Sequence, residues 1–123
     1  MQNGASVYLY HFGYKSELKI AGTDYALGTP HAMDITFKFN NETPANGPGF
    51  LSGNNPNRFI ASRNMAELWT NFARTGIPSA AGVPPWTAYT LDERASMRID
   101  TQCEMMRGRF DEELTMWRAI GCL

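Results

Sequence analysis

The run from Ser6 to Phe12, Ser-Val-Tyr-Leu-Tyr-His-Phe, contains no Lys, Arg, Asp or Glu. Its apolar character is continuous rather than alternating. That pattern predicts a strand buried on both faces, the kind found inside a parallel sheet. A parallel strand needs a long crossover to reach its neighbour and helices to cover its faces. The run therefore points to a layered α/β arrangement, with Tyr8 and Tyr10 as packing residues.

The remainder of the chain supplies elements that suit such layers. Gly13 to Thr29 is a connecting segment in which Lys15, Glu17 and Lys19 alternate with other residues, as a short exposed strand or a solvated loop. Turns fall at Gly22-Thr23-Asp24 and Gly28-Thr29-Pro30. Ala32 to Phe39 fits a helical turn or a strand, with Ile35, Phe37 and Phe39 packed on the sheet. Asn40 to Asn57 is rich in Asn, Gly and Pro and is expected to be a loop. Asn55-Pro56 is a helix start, Asn at N-cap and Pro at N1, for a helix running to Thr75. Met65, Leu68, Trp69 and Phe72 lie on one face of that helix and are expected in the core. Arg74 complements its negative end and Gly76 stops it. Ile77 to Pro85 is a connection anchored by Trp86 and Tyr89. Ala95 to Asp100 alternates as a half-buried strand near a sheet edge. A last helix, Arg107 to Ile120, carries Phe110, Leu114, Trp117 and Ile120 on one face and ends at Gly121.

Composition narrows the possible partners. A length of 123 residues allows one domain at most, and 43% hydrophobic content argues against disorder. The net charge of −1 speaks against nucleic acid or an anionic membrane as a partner. No apolar run reaches the ~20 residues of a membrane-spanning helix. Met1-Gln2-Asn3-Gly4 leads directly towards the first strand, with no signal peptide visible. Cys103 and Cys122 form no Cys-x-x-Cys motif, so zinc binding has no support; two free thiols are expected, with a bridge between them as the alternative. No cofactor motif is present.

One loop carries a candidate for chemistry. Gly28-Thr29-Pro30 turns directly into His31, one of two histidines in the chain. A tight turn can hold an imidazole in one orientation, as general-base catalysis requires. Loop histidines also serve as surface or capping residues. The loop follows the carboxyl end of the first strand, where open α/β sheets place their sites.

Gly28-Thr29-Pro30-His31-Ala32-Met33-Asp34-Ile35-Thr36-Phe37-Lys38-Phe39 resembles the catalytic-histidine loop of the type-B carboxylesterases. These are the α/β-hydrolase branch that includes the cholinesterases. Val7 to Phe12 resembles the family strand before that loop. Trp69-Thr70-Asn71-Phe72-Ala73-Arg74-Thr75-Gly76-Ile77-Pro78 resembles a second family signature, and Pro85-Trp86-Thr87-Ala88-Tyr89 a third, with Thr87 where proline is usual. The landmarks follow family order over nearly the whole chain.

The resemblance implies the C-terminal portion of an α/β-hydrolase sheet with packed helices, over residues 1–123. This would be an incomplete domain of about two or three strands and two main helices. It implies His31 as the base of a Ser, Asp/Glu, His triad. Asp34 would support the loop, His11 would be structural, and Met33 would face the substrate pocket or pack in the core. No Gly-x-Ser-x-Gly or Gly-Gly-Gly loop occurs. Nucleophile, triad acid and oxyanion hole would come from the N-terminal remainder of the esterase domain, acting on a small carboxylic ester without a cofactor. The chain alone is expected to be inactive and to self-associate. A non-catalytic scaffold module derived from the same fold is the alternative, and a standalone activity of His31 with Asp34 a third reading.

Overall fold

The structure, a computed structural model, describes residues 4–42 and 51–122. Part of the Asn40 to Asn57 loop, residues 43–50, and the extreme N-terminus, 1–3, lie outside the described residues. In chain order the elements are β1 (Tyr10–Phe12), β2 (Ser16–Lys19), β3 (Ala26–Gly28), α1 (Asp34–Lys38), α2 (Asn57–Thr75), β4 (Ala95–Ile99), β5 (Glu104–Arg107) and α3 (Asp111–Ala119).

β1, β4 and β5 form a mixed sheet in the order β1-β4-β5. β1 runs parallel to β4, with Tyr10 opposite Met97 and Phe12 opposite Ile99. β4 and β5 are an antiparallel hairpin. α1 and α2 cover one face of this sheet. Between them lies the core of Tyr14, Met33, Phe37, Ala61, Met65, Leu68, Met97 and Ile99. Burying each of the larger aliphatic side chains contributes about 1.5–3 kcal/mol. The expected parallel pairing and covering helices are therefore present.

Burial of the first strand is not as its composition predicts. β1 is the outer strand, Tyr10 and Phe12 are half-buried, and Val7 and Leu9 are 49% and 45% exposed. Parallel pairing occupies one edge only. The Met97 N–H donates to the Leu9 carbonyl and the Gly13 N–H to the Ile99 carbonyl, at 2.9 and 2.8 Å. Successive residues of a strand point their peptide groups to opposite edges. Those of Tyr8, Tyr10 and Phe12 therefore face the edge that carries no strand among the described residues. Ala95 to Asp100, expected near a sheet edge, is instead the central strand, and every residue of β4 but Arg98 is buried. Its alternation reflects two covered faces of different polarity.

α2 stops where its sequence indicates and starts one residue later than expected, with Pro56 rather than Asn55 at N-cap and Asn57 as the first helical residue. The Asn57 N–H donates to Asn55 Oδ1 at 2.9 Å, and Pro56 has helical φ −62° and ψ −19°. Gly76 closes the helix at φ 76°, a left-handed conformation that glycine adopts without strain. The inward face is narrower than expected. Met65 and Leu68 are buried, but Trp69 and Phe72 are each 39% exposed. Both pack edge-on against tyrosines, Trp69 on Tyr10 of β1 and Phe72 on Tyr8 just before it. The α1 pattern also needs correction. Phe37 is fully buried, whereas Ile35 and Phe39 point outward, because residues two apart diverge on a helix.

The segment after β1 is a β2/β3 hairpin rather than a plain loop. Its anchor is Glu17, whose carboxylate accepts hydrogen bonds from the N–H groups of Asn54 and Asn55 at 2.6 and 3.1 Å. Burial alone would raise its pKa, but these donors and nearby Arg58 bring it below the usual carboxylate value. α3 buries none of its residues. Arg94 holds its start through a two-pronged contact with Asp111, at 2.7 and 2.8 Å.

Candidate active site

β1 delivers the chain to the carboxyl end of the parallel pair, and the β2/β3 hairpin returns it to the same end. Gly28 then bends at φ 69°, in the left-handed region that a side chain would disfavour. The Thr29 hydroxyl donates to the Tyr14 carbonyl at 2.6 Å, fixing the turn to the chain leaving β1. Two residues beyond His31, Met33 is 2% exposed, so of its two sequence-derived roles it takes the packed one. Ala32, between them, has φ 67°, unusual for a residue with a Cβ. His31 is thus held between a hydrogen-bonded threonine and a buried methionine. Its side chain is exposed, and no side-chain hydrogen bond reaches the imidazole among the described residues.

Asp34 opens α1 three positions later, and its carboxylate is engaged elsewhere. The Tyr10 hydroxyl donates to Oδ2 at 3.1 Å, and Lys38 Nζ lies 2.7 Å from the same oxygen. Burial acts to raise the Asp34 pKa, but Lys38 and Tyr10 outweigh it and hold the group below the ordinary value. Lys38 is raised in turn, chiefly by its hydrogen bond to Asp34. Its ammonium also sits 5.5 Å from the Trp69 ring centre. The cluster joins β1, α1 and α2 under the His31 loop.

A second polar cluster steadies the far side of α1. The Glu42 side chain is fully buried. It accepts from the Thr36 hydroxyl at 2.5 Å and the Ser52 hydroxyl at 2.7 Å, with Arg58 Nε 3.5 Å away. Sequence reasoning missed this cluster, because an acid after Asn40-Asn41 in a polar loop carries no periodic signal. Ser16, Ser52, Ser62 and Ser96 are buried, and the hydroxyls of Ser16, Ser52 and Ser62 are taken up by local partners. No serine hydroxyl is bonded to His31 among the described residues. His11 is exposed and its ring lies against Phe110. Cys103 and Cys122 are both free, and burial above all pushes the Cys103 thiol pKa upward.

A mixed sheet with one parallel pair, covered by α1 and α2 on one face and with His31 on a loop after the β2/β3 hairpin, is a small α/β unit. Residues 1–117 match the family model described as the carboxylesterase family, and the chain belongs to that family. It is 29% identical to carboxylesterase 5A of Felis catus, covering 93% of this chain and 21% of that protein. It is 30% identical to the medium-chain fatty acyl-CoA hydrolase precursor of Anas platyrhynchos, covering 95% of this chain and 20% of that one. Among solved structures, a Geobacillus stearothermophilus carboxylesterase superposes with TM-score 0.68 at 31% identity, covering 93% of this chain and 22% of that chain. An esterase from Clostridium hathewayi, described as hydrolysing aliphatic aromatic polyesters, gives TM-score 0.73 at 25% identity, covering 94% of this chain and 21% of that one. The chain thus spans about a fifth of the length of the relatives it matches.

Proposed function

We propose that this chain supplies the catalytic base, His31, of a serine carboxylic-ester hydrolase whose other parts lie on polypeptide upstream in the family domain. The observation that carries the reading is an exposed imidazole on a turn pinned at both sides, at the carboxyl end of a parallel strand, within a carboxylesterase-family segment. In the assembled site His31 takes the proton from the attacking serine hydroxyl and returns it to the leaving alcohol. A carboxylate of the upstream part orients the ring, while Asp34 stays on Tyr10 and Lys38 and holds the loop. Serine nucleophile and oxyanion hole come from the same upstream part. Substrates are small carboxylic esters, no cofactor is used, and the chain alone is inactive.

The test is a chromogenic short-chain ester offered to this chain alone and with the upstream portion of the domain supplied in trans. Activity is expected only on mixing, and His31→Ala is expected to lower it by about 10⁴–10⁶-fold. A mixture that keeps its rate after His31→Ala overturns the assignment. The exposed Trp69 and Phe72 favour a second reading, a non-catalytic module that docks through its aromatic face. Complex formation without any ester turnover would support that one instead.

A further inference from the structure

The His31 turn is held in a conformation that its own residues do not favour. The Met33 N–H donates to the Pro30 carbonyl at 3.3 Å, closing a tight turn with His31 second and Ala32 third. At φ 67°, Ala32 occupies a position that ordinarily calls for glycine or asparagine. With Ala32 in the right-handed region the turn would close without that strain, but the peptide between His31 and Ala32 would be turned over and the imidazole aimed differently. A strained residue persists only where its surroundings over-determine it. On the upstream side Thr29 is bonded to Tyr14. On the downstream side the chain enters α1, whose five residues are too few for a helix to keep its own place. We propose that Thr36 and Glu42 are positioning residues for His31: the buried carboxylate locks α1, and α1 keeps Ala32 left-handed. This role rests on His31 being the base; the two residues set how that base is aimed.

The bonds around α1 have the right connections for this. The Thr36 hydroxyl lies 3.2 Å from the Met33 carbonyl and 2.5 Å from Glu42 Oε1, and shares its one proton between them. Met33 directly follows Ala32, so the hydroxyl ties the residue after the strained one to a fixed charge. Glu42 is fixed in its turn. Its other oxygen, Oε2, accepts from the Ser52 hydroxyl and faces Arg58 Nε of α2. Arg58 Nη1 is itself bonded to the Asn55 carbonyl at 3.1 Å, just ahead of that helix. The Thr36 carbonyl accepts from the Asn41 N–H at 2.8 Å, which keeps the neighbouring Glu42 close to the helix it holds. Burying a carboxylate is a poor route to stability, since an apolar side chain of similar volume is often as good or better. What an apolar side chain would not supply is direction: two oxygens address α1 and the start of α2 at once.

The experiment uses the 123-residue chain, alone and mixed with the upstream portion of the domain. In nuclear Overhauser spectra a residue at positive φ gives a strong cross-peak between its own N–H and Hα. Ala32 is expected to show it in the chain alone. Thr36→Val, which keeps the shape and removes the hydroxyl, is expected to weaken it. In the mixture Thr36→Val is expected to lower kcat about tenfold or more at unchanged KM, because the base is misaimed rather than lost. Thr36→Ser should restore both signals. Ala32→Gly in the Thr36→Val background should recover part of the rate, since glycine takes a positive φ without a clamp. Gly76→Ala, at the far end of α2, should leave kcat unchanged. Glu42→Gln, which keeps the volume and removes the charge, is expected to act as Thr36→Val does and replaces it if that variant fails to fold. An Ala32 cross-peak unchanged in both variants overturns the proposal, and so does an intact kcat once the cross-peak is lost. A mixture without turnover, or one indifferent to His31→Ala, strikes the catalytic reading instead, and the cross-peak alone then decides whether Thr36 and Glu42 hold the turn.

Discussion

Glu42 is a carboxylate with no exposed side-chain surface, and its stability rests on the groups around it. Thr36 and Ser52 donate to it and Arg58 lies within ion-pair distance. Removing one partner of such a cluster strands the other charge. Glu42→Ala is expected to cost roughly 3–5 kcal/mol, read as a shifted or lost cooperative transition in urea. Asp34 and Lys38 make a pH prediction. The Asp34 pKa is depressed on folding, so its contribution is complete above the unfolded value of about 3.9 and is lost as pH falls through the folded one. The Lys38 pKa is raised, so its contribution is complete below about 10.4 and is lost as pH rises through the folded value. Stability from the pair should therefore hold between about pH 4 and 10 and fall at both ends. Asp34→Asn should flatten both limbs of a urea-midpoint-against-pH curve. A curve unchanged by the substitution would remove the pair from the account. The supporting role of Asp34 was legible through the resemblance, but its partner Tyr10 was not. That contact depends on how β1 and α1 pack, which no local pattern encodes.

Elements were most legible where a terminus has its own chemistry. Asn55, Pro56 and Gly76 mark both ends of α2, and the structure places them there. The two glycines with left-handed φ at either side of this helix should respond differently to substitution. Gly76 has open space around it, so Gly76→Ala is expected to cost only the conformational penalty, about 1 kcal/mol. At Gly53 an added methyl group would run into the Glu17 carboxylate. Gly53→Ala should therefore cost more, and the excess should vanish in a Glu17→Ala background, as a double-mutant cycle in urea would measure. Equal costs at both glycines would show that Glu17 does not hold the hairpin. What periodicity misjudged was depth. Trp69 and Phe72 carry the spacing of a core stripe, yet only Met65 and Leu68 of that stripe are buried, while Trp69 and Phe72 meet Tyr10 and Tyr8 edge-on and stay partly exposed. An apolar pattern records which face is to be covered, not how deeply the surrounding residues cover it.

For the molecule as a whole, the continuous apolar run at Ser6 to Phe12 anticipated an interior strand, and in the isolated chain that strand is outermost. The chain spans about a fifth of the length of the relatives it matches, and on the proposed reading the upstream portion supplies the neighbour that such a run calls for. The upstream portion should bind the folded state in preference to the unfolded one, and stability should rise with its concentration. At about 100 times the dissociation constant the gain is roughly 2.7 kcal/mol. Thermal midpoints that do not move on titration would count against a shared fold. The pairing of Tyr10 with Met97 has a further consequence, for biosynthesis. During translation the strand leading to His31 leaves the ribosome on the order of ten seconds before its neighbour β4. Through that interval an uncharged, aromatic segment waits without its partner strand.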